Sequence, residues 1–444
     1  MAPHREAAVH LAEAEAGVPR HQIEGREAER VSGQNMKRGI TGSAGLALIA
    51  GLLALFAGLP AASADDTEDL PDVTERYDGT GAHIGSFWFL PKLETGLFYD
   101  SNVYARSTNT KGSAGTYVAP YLGIESDWGR YGLNAKLDAS QHIYFDDVSL
   151  NRTNLKTEID GRYEIMNDLS WLGGIKGRML DDPIGTINSN ALAAEPTHHD
   201  EFEAWTTLNK SFNRISVSAG GGYHYYNYDD VASIVGGKID QDFRDGDVLE
   251  TGGRVSYLTS PELRIFADAR YNWRDYRGTG ADSNGWRSLA GLEVELSRLI
   301  RGEAGVGYME QYYDSGFNAG GLTYHAALIW NPSPLMTVKL DADRTIADSA
   351  IAASPGSVTD SVKLTADYEV RRGLVLSPTA EVSRVDYIGS SLDGLTYDLG
   401  VKLDYTMNRF LSFGLNYDYT NSDLNGSALD FERHVIGAYA KARF

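Results

Sequence analysis

Lys156, Glu158, Asp160 and Arg162 occupy every second position of the stretch TNLKTEIDGRYEI, residues 153–165. Side chains two apart share one face of an extended strand. This spacing therefore stacks cations and carboxylates in a single row. Such a row neutralises itself through ion pairs to neighbouring strands, or it lines a hydrated passage with both signs of charge. The pattern returns at Lys136 and Asp138, at Arg264, Asp268 and Arg270, and at Lys339 and Asp341. It returns again at Lys363 and Asp367, at Lys402 and Asp404, and at Lys441 and Arg443. These residues are the candidate lining of a pore. Interleaved signs suit hydrophilic, weakly ion-selective passage; a strongly basic track for an acidic polymer is not present.

Other chemistry is hard to place. No GxSxG, HExxH, P-loop or GxGxxG stands in a strand-helix context, so no catalytic residue, cofactor site or metal site is assigned and the chain is not expected to be an enzyme. THHDE, residues 197–201, reads as an exposed polar loop, because adjacent histidines on extended backbone point to opposite sides and chelate poorly. GGGYHYYNYDD, residues 220–230, reads as a rim belt of tyrosines, or as a platform on which sugars stack. Asp181-Asp182 and Asp229-Asp230 read as solvated acidic surface, with Ca²⁺ bridging to lipopolysaccharide as the alternative. The chain has no cysteine, which excludes disulfides and thiolate sites. The net charge of −21 argues against nucleic-acid binding, which needs basic patches.

The charged rows need strands to hold them. Facing the row at 153–165 are Leu155, Thr157, Ile159, Gly161, Tyr163 and Ile165; ELRIFADARYNWR, residues 262–274, shows the same split. Period-two alternation over ten or more residues marks strands about twice the usual 5–6 residues, and a tilted strand crossing a bilayer needs about 9–11. Tight turns recur at WGRY near 130, MNDLS near 167, FNR near 213, SPE near 261, LIRG near 300, NPSP near 333, RRG near 372 and MNR near 408. Longer polar segments rich in Gly, Asp and Ser alternate with them. The reading is all-β: an antiparallel transmembrane β-barrel of about 18 strands with short periplasmic turns and long extracellular loops. The first strand is expected near residues 87–105 and the last near 430–444. A β-propeller would need four short strands in each period of roughly 40 residues, where this chain offers two long ones. A soluble sandwich or solenoid would need an apolar core. The mean hydropathy of −0.32 does not exclude the barrel, whose alternating faces keep the average low.

The chain ends in VIGAYAKARF, with Ile436, Ala438, Ala440, Ala442 and Phe444 on one face. That pattern resembles the terminal signature read by the barrel-assembly machinery, with Phe444 as its key residue. The opening GSFWFLPKLETGLFYDSNVYA, residues 85–105, resembles the outer-membrane β-barrel porin 2 family, through its Pro-containing first strand and Tyr99, Asp100, Asn102, Val103 and Tyr104. The resemblance implies a Gram-negative outer-membrane barrel. Because some relatives lie among genes for surface polysaccharide, it also implies polymer export, with polysaccharide, periplasmic export components, outer-membrane lipid and lipopolysaccharide as partners. General passage of small hydrophilic solutes and a plugged structural or adhesion barrel are the alternatives.

Met36, Lys37 and Arg38 open a segment whose apolar core, Leu46 to Leu59, is about 14 residues and too short to span a bilayer as a helix. Ala62-Ser63-Ala64 has the form of a signal-peptidase site. The expected division is an upstream extension at 1–35, a signal peptide at 36–64, an acidic periplasmic segment at 65–86 and the barrel at 87–444. Mass spectrometry of the outer-membrane protein should find Asp65 as its first residue. An intact 39–59 segment in that fraction would refute cleavage.

Overall fold

The computed structural model describes residues 81–444, apart from 187–188, 191, 278–280, 297–298 and 425–429. The signal-peptide reading, the upstream extension and residues 65–80 lie outside the described residues. Eighteen long strands form one closed antiparallel sheet. They are β1 (Phe87–Asp100), β2 (Ser113–Ser126), β3 (Tyr131–Tyr144), β4 (Arg152–Met166), β5 (Leu169–Asp182) and β6 (Thr197–Phe212). Next come β7 (Ile215–Tyr228), β8 (Gly246–Ser260), β9 (Leu263–Tyr276), β10 (Ser283–Leu296), β11 (Ile300–Tyr313) and β12 (Asn318–Ser333). The last six are β13 (Met336–Ala347), β14 (Ser357–Arg371), β15 (Leu374–Tyr387), β16 (Asp393–Asn408), β17 (Leu411–Leu424) and β18 (Phe431–Arg443). They run 12 to 16 residues each.

All eight expected tight turns join strand pairs at one end, and nine longer connections lie at the other. Asn213 (φ 54°) and Gly373 (φ 77°) take the left-handed backbone that their turns require. Register shifts next to the turns after β4, β8, β12, β14 and β16 mark bulges, which let long strands enter very short turns at a barrel rim.

Charge decides which face points inward. Leu93, Leu97, Leu137, Ile159, Ile265, Leu399, Leu415 and Ile436 are exposed on the outer face. Turning β4 over would put Lys156 and Arg162 into hydrocarbon, at about 2–4 kcal/mol each near the midplane. A slip of one residue would do the same, so the alternation fixes the register.

The first strand ends at Asp100 and not at Ala105, because side chains here bend the backbone away. The Asp100 carboxylate accepts the amide of Asn102 at 2.9 Å. The Asn102 side chain in turn bonds the carbonyls of Arg106 (2.8 Å) and Glu432 (2.9 Å) and accepts the Arg106 amide (3.0 Å). Asn102 is almost fully buried. The Asp and Asn of the opening motif thus staple the first loop to the start of β18.

Closure runs from Lys92 opposite Arg443 to Asp100 opposite Val435. That leaves residues 87–91 of β1 beyond the end of β18. A short strand, Ala82–Ile84, turns back at Gly85 (φ 66°) and pairs with Phe87–Phe89. This element was not expected from the sequence. The Phe444 amide donates to Pro91 O at 3.3 Å, the Gly81 amide donates to Phe444 O at 2.9 Å, and the Phe444 ring packs on Phe410 at 5.8 Å.

Two predictions follow from this architecture. Deleting Phe444 removes these contacts and should lower the yield of heat-modifiable, folded barrel in outer-membrane fractions; an unchanged yield would refute the terminal role. Leu137→Arg places a cation on the lipid face and should destabilise the barrel by about 2–4 kcal/mol in denaturant titration. Asp138→Asn, one residue away on the inner face, should stay within about 0.5 kcal/mol.

Candidate functional site

All seventeen lining candidates share the inward face. The register links them through Glu125–Asn134–Asp160, Lys136–Glu158–Lys176 and Asp341–Lys363–Glu381, while the opposite face carries the exposed apolar residues. The structure divides them between two kinds of wall.

From β3 to β13 the inward charges are largely paired across strands. Glu158 sits between Lys136 and Lys176, at 3.9 Å from each. Arg178 reaches Glu201 at 2.5 Å and Glu203 at 3.5 Å. Arg254 reaches Glu303 at 2.6 Å and Glu293 at 3.3 Å, and Arg264 reaches Glu293 at 2.5 Å. Arg270 bonds Glu250 and Asp268, and Arg162 bonds Glu164 at 3.4 Å. Asp160 accepts from Asn134 at 2.9 Å. Asp138 faces Lys156 in the register, and Lys339 faces Thr365. Partly exposed pairs of this kind contribute about 0–1 kcal/mol; their effect is to line the space with matched charge. Lys176, Arg178, Glu201, Glu203, Arg254, Glu293, Glu303 and Arg287 belong to this wall but were not selected from the sequence. Their strands show a blurred alternation: β5 has Leu172 and Gly174 on the polar face, and β10 has Leu289 and Gly291.

From β14 to β18 the lining differs. Lys363 pairs with Glu381, and Lys441 with Glu94, each at 3.2 Å. The remaining carboxylates accept from neutral donors: Asp404 from the Tyr439 hydroxyl (2.6 Å), Asp367 from Ser377 (2.5 Å), Asp398 from Thr420 (2.5 Å) and Asp418 from Asn416 (2.8 Å). Lys402 lies over the Tyr439 ring at 5.5 Å, and Arg443 donates to Thr406 at 3.0 Å. Tyr439 lies flat because Gly414 faces it across the strand pair; any side chain there would run into the ring. Lys363, Asp367, Asp398, Lys402, Asp404 and Asp418 are among the residues that line a groove of about 470 Å³ in the inner wall.

At the loop end the interior is crowded. Arg433 of β18, partly buried, donates to the carbonyl of Ile184 at 2.5 Å. Ile184, Gly185, Thr186 and Ser189 share a small cavity with Tyr387, Thr396 and Phe431, which lie many strands away around the wall. The same connection pairs with the loop between β7 and β8 through Ala194 N to Ala232 O (2.7 Å) and Ile234 N to Leu192 O (2.9 Å). Arg244 in that loop is buried, stacks on Tyr228 at 3.7 Å and reaches Asp348 at 3.4 Å. Two apolar clusters form beneath the loops: Val103, Tyr144, Leu150 and Ile184, and Met309, Tyr313, Ala319, Ile346 and Ile388. Tyr104 donates to Asp147 of the neighbouring loop; burial, and then this bond, push its hydroxyl up to about 12, so it remains a donor at neutral pH.

The structure corrects three sequence readings. THHDE is not an exposed loop: it opens β6, with Thr197 and His199 buried inside. The two histidines do point to opposite sides, His198 to Asp181 (2.6 Å) and His199 onto the Tyr228 ring (4.7 Å). Asp181 and Asp182 likewise lie in β5 and not in a loop. GGGYHYYNYDD is neither one belt nor one platform. It runs through β7, so Tyr223 is exposed on the outer face and bonds Asp247, while Tyr228 points in and is covered by Arg244. The carboxylates of Asp230, Asp240 and Asp242 converge within 4.8 Å on the exposed β7–β8 loop and are the one group among the described residues with the spacing to hold a metal.

Solved structures to which the chain is similar include OpdQ of Pseudomonas aeruginosa, at 9% identity and a TM-score of 0.40 over 81% of this chain and 97% of that one. A BenF-like porin from Pseudomonas fluorescens Pf-5 matches at 9% identity and 0.43 over 81% and 99%. The FrpB iron transporter of Neisseria meningitidis matches at 7% identity and 0.43 over 80% and 63%. No curated protein matches the chain. The family described as "Putative beta-barrel porin 2" matches residues 75–444. With its closed eighteen-strand wall, apolar outside and charged inside, the chain belongs to this β-barrel porin family of the Gram-negative outer membrane.

Proposed function

We propose that the protein is a passive channel for small hydrophilic solutes, narrowed at its extracellular end by inward-folded loops. A barrel of this strand number is too wide for side chains to fill, so the charged interior is hydrated. The observation that carries the reading is the junction at the mouth. The β5–β6 connection reaches the β15–β18 wall through Arg433 and Ile184, and it pairs with the β7–β8 loop on its way. Small solutes pass such a constriction more readily than a polymer chain does. Export of a surface polysaccharide draws no support from the lining, where Tyr228 is covered by Arg244 and no continuous aromatic track runs among the described residues.

Planar-bilayer recording in KCl should show stable channels of modest conductance. Arg433→Ala and Arg244→Ala each remove a charge-assisted contact of about 1.5–3 kcal/mol. The double variant should conduct more, through an arrangement of the mouth favoured by about tenfold or more. A clean gene deletion should slow uptake of small hydrophilic solutes and leave surface polysaccharide unchanged. Loss of polysaccharide with unchanged uptake would establish export instead.

A further inference from the structure

The groove on the β14–β18 wall differs from the rest of the lumen in how its charges are matched. Among the described residues, Lys402 has no carboxylate at ion-pair distance; its ammonium lies over the Tyr439 ring. Asp398 and Asp418 line the same groove, and their partners are the Thr420 hydroxyl and the Asn416 amide, both neutral. Asp367 and Asp404 line it too, bonded to the Ser377 and Tyr439 hydroxyls, so Lys402 and four carboxylates with neutral donors face a single open space of about 470 Å³, with Asp398 on the strand of Lys402 and Asp418 on the next. Asp418 stands opposite Gly400 in the register, and Lys402 is the next inward position along β16, about 7 Å of strand away. Gly400 leaves the space between them open: a Cβ there would sit 2.9 Å from the Asp418 carboxylate.

We propose that this groove is a subsite for small zwitterionic solutes, whose carboxylate meets Lys402 and whose ammonium meets Asp418 and Asp398. The assignment rests on the solute-channel reading and names its substrate class. A simple cation is repelled by Lys402 and a simple anion by the two aspartates. A solute carrying both charges a few bonds apart satisfies both sides at once. The groove is open to water, which keeps binding weak enough for release, as conduction requires.

The test is block of the KCl current by 4-aminobutyrate, compared with butyrate, butylammonium and erythritol. The zwitterion should block at the lowest concentration. Lys402→Ala and the Asp398→Asn/Asp418→Asn pair should each raise its half-blocking concentration about tenfold, with Lys402→Arg near wild type and all variants heat-modifiable. Equal block by butylammonium, or a Lys402→Ala channel blocked as well as wild type, overturns the subsite while the channel stands. Absence of KCl conductance overturns the channel reading itself.

Discussion

A backbone amide or carbonyl left unpaired in hydrocarbon costs several kcal/mol, and everything else in this molecule depends on meeting that condition at the seam. β18 covers β1 only from Lys92 to Asp100. The remaining edge of β1 is covered by Ala82–Ile84, folded back at Gly85, and the chain end is tied in by Pro91 O and the Gly81 amide. The wall is closed by two segments that lie far apart in sequence, Ala82–Ile84 and β18. The terminal aromatic residue is where they meet.

Closure at this strand number sets the interior. The lumen is too wide to be filled from the wall, so its residues face water and must be polar, and a polar wall built by alternation repeats charge at every second position. Where cations and carboxylates fall opposite each other, as Arg254 does with Glu303, the wall neutralises itself. Where hydroxyls fall opposite carboxylates, as Tyr439 does with Asp404, a net field remains. The two halves of the lumen differ in the partners that the register sets opposite each carboxylate.

Aromatic residues on the inward face are accommodated by missing side chains. Tyr439 lies over Gly414, and Phe266 lies over Gly305 beneath the Arg254 guanidinium, which sits 3.8 Å from its ring. These notches let large rings lie flat on the wall. At the loop end the opposite holds. Tyr228 and Tyr313 project inward and are packed under Arg244, Ile346 and the connecting loops.

Period two, tight-turn chemistry and the terminal Ile436-to-Phe444 row were sufficient, by themselves, to determine the strand number, all eight turns and the face of every strand with clean alternation. Each is a local property, expressed within a few residues of chain. That the seventeen candidate residues share one face of the wall was legible for the same reason. Strands such as β5 and β10, where glycines and leucines interrupt the polar row, hid theirs. Only the tertiary structure decided that THHDE is buried, that Arg433 holds a carbonyl 249 positions away, and which carboxylates lack a cation. Those facts depend on which strands become neighbours and on where long loops come to rest. Neither is encoded by the spacing of residues along one segment, because the partners meet only when the wall closes.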